Sequence, residues 1–341
     1  MRSVPLGFCL SLLSTVVLVN CADLENAAST AISDSESELG PGDVEGFSEA
    51  LTTYKYATTC KPIPALTPLA KPSITVSLDG LTLHLKDLGG TFDKVYKVGP
   101  GQLEGGKSLT PTSTSTSTGT FYTGTSTTEV KDSAWGYYYP CRFWWTDPDT
   151  GNKSPVFAGL PFIRLQGPSS TGYGIHGPID NYDTPSGGTL RRGYVSHGCM
   201  RMEAADIVEV YALIKGRSKT PVKVQQEIER RDDGTAVDVS DKWVGAECKT
   251  DAECNYTGGS CHVPSGATIG TCTASCTKTC ADKTGEATTF CQSMTGSSTG
   301  RCVLQASTTY NDSCRRYRGR LDYENVTRPD KSKSAYVCSP D

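Results

Sequence analysis

The chain has 341 residues, of which 21% are charged and 36% hydrophobic, with a formal net charge of -4. That length holds two domains of ordinary size or one large core with attachments, and the mixed charges exclude the broad basic field that nucleic-acid binding requires. Fifteen cysteines make the redox compartment the first question.

The N-terminus answers it. Arg2, the apolar run from Leu6 to Val19 and a small processing region read as an export signal over residues 1–21. It is too short to span a bilayer as a mature helix, and no later stretch is apolar for long enough. "LVNC", ending at Cys21, resembles a bacterial lipobox, so a lipid anchor at Cys21 stands beside an ordinary secretory cut a few residues later. An exported chain lies in the periplasm or cell envelope, where cysteines pair.

Residues 22–50 carry eight acids and no Lys or Arg. With "CKPIPALTPLAKP" after them, residues 22–71 read as a solvated tether that stiffens at its end. "SITVSLDGLTLHL" then gives the first strand signal. Ile74, Val76 and Leu78 alternate with polar residues, Asp79-Gly80 follows, and Leu81, Leu83 and Leu85 alternate again, which predicts a hairpin with six apolar side chains on one face. His84 falls on the other face, as an exposed or half-buried sheet histidine. The Ser/Thr run near residues 108–127 reads as a mobile loop, and "WGYYYPCRFWW" as β-core filling more readily than a sugar platform. "MEAADIVEVYALIKG" predicts a helix over about 203–215, with Ile207, Tyr211 and Ile214 on one face and Gly216 at the exit. "TPVKVQ" reads as a closing strand and residues 226–244 as a polar exit linker.

Chemistry concentrates in residues 173–202. Of four histidines in the chain, His176 in "YGIHG" and His197 in "SHGC" lie in this span beside Cys199. A cysteine nucleophile needs an imidazole to take its proton and return it to a leaving amine. Cys199 also stands shortly before the expected helix, whose N-terminus would favour a thiolate. Gly177, Gly193 and Gly198 permit close backbone approach. Parity points the same way. Cys9 leaves with the signal and Cys21 is lipidated or near the cut, so if Cys60 pairs with Cys141 and the tail cysteines pair among themselves, Cys199 is left over. A disulfide at Cys199 and a zinc site with His176 and His197 are the duller readings.

"IHG", a glycine-bearing loop and "SHGCMRM", followed by a helix and a strand, resemble the signature of the YkuD-type L,D-transpeptidases, which remodel bacterial peptidoglycan. The resemblance covers about residues 72–225, with the opening hairpin and a "TPT…GTF" segment at Thr110 to Phe121. It implies a mainly β fold, a mixed-sheet catalytic domain with a few short helices. It further implies that Cys199 is the nucleophile and His176 the base and acid, with the Gly177 carbonyl holding the imidazole. Ser196, His197 and Gly198 would wall the thiol and its oxyanion site, and Arg201 and Tyr173 would contact substrate. His197 is the alternative base. The implied partners are a donor tetrapeptide stem and an acceptor amine, joined through a Cys199 thioester into a diaminopimelate crosslink or a protein attachment. Trimming by water and binding without catalysis are the alternatives. Neither a cofactor nor a catalytic metal is implied.

Residues 245–341 hold Cys248, Cys254, Cys261, Cys272, Cys276, Cys280, Cys291, Cys302, Cys314 and Cys338. No C-x-x-C pair occurs among them, which argues for five disulfides in a loop-rich module rather than a zinc ribbon. Such a tail can contact an envelope protein or polymer. Because the signature ends before the linker, the tail is expected to be dispensable for thiol chemistry.

Overall fold

The structure is a computed structural model that describes residues 63–113, 121–123, 138–139, 144–146, 153–155, 160–166, 173–178, 190–217, 219–306, 314 and 323–338. The expectations for the export signal, Cys21, the acidic tether, Cys60 and Cys141 lie outside the described residues, as do most of the Ser/Thr run and part of the aromatic cluster.

The opening hairpin is β1 (Pro72–Ser77) paired with β2 (Thr82–Asp87), with Ile74 opposite Leu85 and Val76 opposite Leu83. All six alternating apolar side chains are fully buried. Each such burial stabilises by about 1.5–3 kcal/mol, so this face anchors the domain core. In the turn, the positive φ (51°) falls on Leu81. Gly80 is needed for space, since a Cβ there would lie 2.6 Å from Ser77 Oγ.

Eleven strands follow before the tail: β3 (Asp93–Lys97), β4 (Leu103–Glu104), β5 (Lys107–Ser108), β6 (Phe121–Thr123), β7 (Tyr138–Tyr139), β8 (Trp144–Thr146), β9 (Lys153–Pro155), β10 (Phe162–Gln166), β11 (Gly174–His176), β12 (Met200–Arg201) and β13 (Pro221–Gln225). One mixed sheet runs β12-β11-β10-β6-β13-β1-β2-β3, with β7 beside β10. The pairs β1–β13 and β11–β12 are parallel. The single α-helix among the described residues, α1 (Ala204–Ile214), buries Ile207, Tyr211 and Ile214. It ends at Lys215 and Gly216, the latter at φ 77°.

His84 corrects one expectation. It lies opposite Thr75 on the polar face, yet it is buried, with Nε2 2.6 Å from Asp93 and Nδ1 3.0 Å from Glu229. That face is covered by the segment read as a polar linker. Ser77 Oγ donates to the Glu227 carbonyl (2.9 Å), and Asp79 N–H to Gln226 (2.9 Å). Val237 and Val239 are buried, and Trp243 and Val244 join the core of the tail. Residues 226–244 are therefore a packed strap between the two parts of the chain, rather than a solvated spacer.

The tail adds β14 (Glu247–Cys248), β15 (Gly259–His262), β16 (Gly270–Cys276), β17 (Thr289–Ser293), β18 (Gly300–Gln305), β19 (Tyr323–Thr327) and β20 (Ser334–Cys338), which form a seven-stranded sheet. Its ten cysteines make five disulfides, Cys248–Cys261, Cys254–Cys272, Cys276–Cys291, Cys280–Cys302 and Cys314–Cys338. The first eight cysteines fall into two like units, in each of which the first pairs with the third and the second with the fourth. In both units the last two cysteines face each other across a hairpin, Cys261 with Cys272 and Cys291 with Cys302. Both hairpins use a positive-φ glycine at the turn, Gly266 (78°) and Gly296 (74°). In both, a second glycine sits where a Cβ would meet the facing carbonyl, Gly270 at 2.2 Å and Gly300 at 2.3 Å. Few large apolar residues are buried here, and cross-links stand in for a deep core. Among the described residues, no helix is long and apolar enough to cross a membrane.

Candidate active site

The site forms at the edge of the sheet where β11 and β12 run side by side, with Ile175 beside Met200 and His176 beside Arg201. Cys199 lies in the bend that leads directly into β12, two residues before Arg201. Gly174 lets the neighbouring strand close in, because a Cβ there would lie 2.4 Å from the Phe162 ring. Phe162 in turn stacks on the His176 imidazole, with ring centroids 6.1 Å apart.

His176 is buried, and its Nδ1–H donates to the Gly177 carbonyl at 2.7 Å. That bond fixes the tautomer and leaves Nε2 as the acceptor nitrogen. Burial, with the Arg201 charge as a second cause, pushes its pKa down to about 3 against the opposing Gly177 bond. His176 is thus a neutral base at any pH near neutrality. His197 is half-buried, and burial followed by Arg201 lowers its pKa as well. Its Nδ1 has no hydrogen-bond partner among the described residues, in contrast to Nδ1 of His176.

Cys199 is buried and disulfide-bonded, with its partner outside the described residues. This overturns the parity argument that left it unpaired. The ten tail cysteines do pair among themselves, as expected. The helix-dipole argument also fails, because β12 intervenes and α1 opens only at Ala204, beyond the first-turn range of that effect. The Arg201 charge acts on the two imidazoles, His176 and His197. This arginine is buried rather than solvated, and its backbone pairs with Gly99 in both directions (2.9 and 3.0 Å).

The turn before Cys199 is built tightly. Ser196 Oγ accepts from Gly198 N–H (3.0 Å) and donates to the Cys199 carbonyl. Gly198 sits at φ 126°, and a Cβ there would lie 2.3 Å from the Tyr173 ring. Only glycine satisfies both demands. Tyr173 thereby packs over the backbone next to Cys199. Gly177 is similarly confined, since a Cβ would meet Leu160 at 2.4 Å.

Sequence reasoning passed over several residues that hold this turn. Thr110 Oγ1 donates to the Gly198 carbonyl (2.8 Å) and accepts from Gly101 N–H (2.8 Å). Pro100 O receives Val195 N–H (2.9 Å) and Ser196 N–H (3.1 Å), and Gln102 N–H donates to Ser196 O (2.7 Å). Thr110 opens the Thr-Pro segment, which was the only sequence signal for it. Among the described residues, the cysteine groupings close enough for metal ligation are Cys248, Cys254 and Cys272, and Cys276, Cys280 and Cys291, and all of these are in disulfides.

No curated protein matches the chain. Among solved structures, it is similar to an L,D-transpeptidase from Mycobacterium smegmatis at 17% identity, over 46% of this chain and 58% of that one, with a TM-score of 0.27. It is similar to an L,D-transpeptidase from Xylanimonas cellulosilytica at 16%, over 48% and 64%, with a TM-score of 0.26. It is also similar to L,D-transpeptidase 1 of Mycobacterium tuberculosis at 13%, over 45% and 60%, with a TM-score of 0.24. The chain spans less than two thirds of the length of each of these structures. The family model for the YkuD L,D-transpeptidase catalytic domain matches residues 71–239. The chain therefore carries, over residues 71–239, a catalytic domain of the YkuD L,D-transpeptidase family, followed by a disulfide-rich tail.

Proposed function

We propose that this domain acts on peptidoglycan stem peptides in the cell envelope, with Cys199 as nucleophile and His176 as general base and acid. The observation that carries the reading is the His176–Gly177 hydrogen bond, on a strand paired with the one that Cys199 leads into. It leaves Nε2 as the nitrogen able to accept a proton. The Cys199 disulfide must first be opened by a dithiol reductant, which takes up the bond as its own disulfide and leaves two thiols.

As the Cys199 sulfur attacks the carbonyl carbon after diaminopimelate, His176 Nε2 takes the thiol proton. His176 then returns that proton to the leaving D-alanine nitrogen as the amide C–N bond breaks. An amine of a second stem then attacks the thioester. It loses a proton to His176 and forms the new amide, and the C–S bond breaks to restore the thiol. The N–H of Cys199 is the natural donor to the developing oxyanion. Gly198 and Ser196 set the direction of that donor.

One observation favours a second reading. While Cys199 stays in its disulfide, the chain can bind stems without turning them over. Mass spectrometry of the full chain mixed with a carbapenem, before and after dithiol treatment, separates the two. An adduct on Cys199 only after reduction supports the enzyme, whereas a free thiol with no adduct leaves binding alone. Incubation with tetrapeptide-bearing sacculi then distinguishes a crosslinker, which makes muropeptide dimers, from a hydrolase, which makes shortened monomers.

A further inference from the structure

The loop that leads into the active-site turn is held from the tail. Arg192, four residues before Ser196, is among the largest fully buried side chains. Its Nη2 lies 2.7 Å from Asp238 Oδ1 and its Nη1 3.4 Å from Glu286 Oε1. The guanidinium also donates to the carbonyls of Leu81 (3.2 Å) and Gly80 (3.3 Å) in the hairpin turn. Its backbone N–H donates to Gly285 O at 2.8 Å. Gly285 has φ 80°, and a Cβ there would stand 2.5 Å from Leu190 O. Tail and loop touch backbone to backbone.

Glu286 makes a second contact that matters more. Its buried carboxylate also receives Lys97 Nζ at 3.0 Å. Lys97 ends β3, two residues before Gly99, which is bonded in both directions to Arg201. One carboxylate from the tail therefore ties together the two segments that bracket Ser196 to Arg201. A buried carboxylate with two cationic partners is costly to leave half-paired, so this contact resists opening in a way that a rim ion pair does not. The disulfides Cys276–Cys291 and Cys280–Cys302 close around residues 283–287 and keep that segment in shape.

We infer that the 283–287 segment of the disulfide-rich tail is a positioning part of the active site, acting through Glu286 on Arg192 and Lys97. The inference rests on the transpeptidase reading above and reverses the expectation that the tail is dispensable for thiol chemistry. Glu286 touches no reacting atom. It sets the backbone that aims the Cys199 N–H and sulfur, and small misplacements of such groups cost about a hundredfold in rate.

The test uses the full chain, reduced until Cys199 is free and the five tail disulfides remain, as checked by mass. Three quantities are read: the rate of Cys199 acylation by a carbapenem, its alkylation by iodoacetamide, and hydrogen exchange of the Arg192–Ser196 amides. Glu286→Gln is expected to slow acylation about tenfold or more, to speed exchange in that loop, and to leave alkylation unchanged, since alkylation needs no oriented oxyanion site. Gly285→Ala carries the same test without removing a charge, in case the first variant fails to fold. Glu253→Gln removes a tail carboxylate paired with Lys242, away from the loop, and is expected to change none of the three. Acylation at the wild-type rate in both loop variants overturns the inference, as does an equal slowing of alkylation. Absence of acylation in the reduced wild type with a free thiol is a different result, and it removes the transpeptidase reading itself.

Discussion

The Thr110 hydroxyl donates to the carbonyl of Gly198 at 2.8 Å and accepts from Gly101 N–H at the same distance, which makes one buried side chain the latch between the Thr-Pro segment and the turn that presents Cys199. Thr110→Val keeps the shape and leaves two buried backbone groups without a partner, each costing about 1–3 kcal/mol. The expected outcome is a lowered urea midpoint together with slower carbapenem acylation. Thr110→Ser retains the hydroxyl and is expected to stay near wild type in both. If valine is as stable and as reactive as threonine, the latch has no energetic role.

Gly198 faces two independent demands, and two variants separate them. Gly198→Ala must hold φ at 126° and also place its Cβ 2.3 Å from the Tyr173 ring. Strain at a positive φ costs about 1–3 kcal/mol, before the ring is displaced. Adding Tyr173→Ala makes room for the methyl but leaves the backbone strain. Denaturation of the single and double variants is expected to show partial recovery in the double. Full recovery would mean that sterics alone fixed this glycine.

Much of the fold was legible because it rests on short-range periodicity. The Ile74–Leu85 hairpin and the Ile207, Tyr211, Ile214 stripe of α1 follow from periods of 2 and 3.6 residues, and the proposed site residues cluster in one short motif. What stayed hidden depends on contacts between distant segments. Alternation placed His84 on the polar face correctly, but it could not show that residues 226–239 cover that face. Arg192 and Glu286 lie 94 positions apart, with nothing periodic to link them, so the tail looked detachable. The state of Cys199 was misread because parity is only as good as the assumed pairing of every other cysteine. Thr110 stood in plain view inside a recognised segment, yet its task appears only when Gly198 is placed beside it.

Two histidines pull stability in opposite directions with pH. Burial alone would lower the pKa of His84, but its hydrogen bonds to Glu229 and Asp93 outweigh it and raise the value above 6.5. The folded state therefore keeps this proton longer than the unfolded chain does. The stabilisation is complete below pH 6.5 and is lost as pH rises through the folded value. His176, held near 3, does the reverse. Between pH 6.5 and 3 only the unfolded chain binds the proton, so stability falls as pH falls, by about 2–3 kcal/mol between pH 6.5 and 4.5. Urea midpoints measured from pH 4.5 to 8.5 check both. His176→Gln is expected to remove the acid-side loss. His84→Gln is expected to be most destabilising below pH 6.5, with its deficit shrinking towards pH 8.5, and a deficit that grows with pH would reverse the assignment.

The two four-cysteine units of the tail are alike in connectivity and turn geometry but unlike in what they touch, and that difference is measurable. Replacing both cysteines of Cys248–Cys261, separated by 13 positions, by alanine removes a cross-link worth about 3 kcal/mol on chain-entropy grounds. Cys280–Cys302, separated by 22 positions, is worth slightly more by the same reasoning. Stability alone would hardly tell the two pairs apart. Only the second encloses residues 283–287 and their contacts with Leu190 and Arg192. Cys280→Ala with Cys302→Ala is therefore expected to slow Cys199 acylation beyond its effect on the urea midpoint, while Cys248→Ala with Cys261→Ala lowers the midpoint and leaves acylation alone. Equal acylation in the two double variants would mean that the docked segment keeps its shape with Cys276–Cys291 as its remaining cross-link, and the Cys280–Cys302 bridge would then have no positioning role.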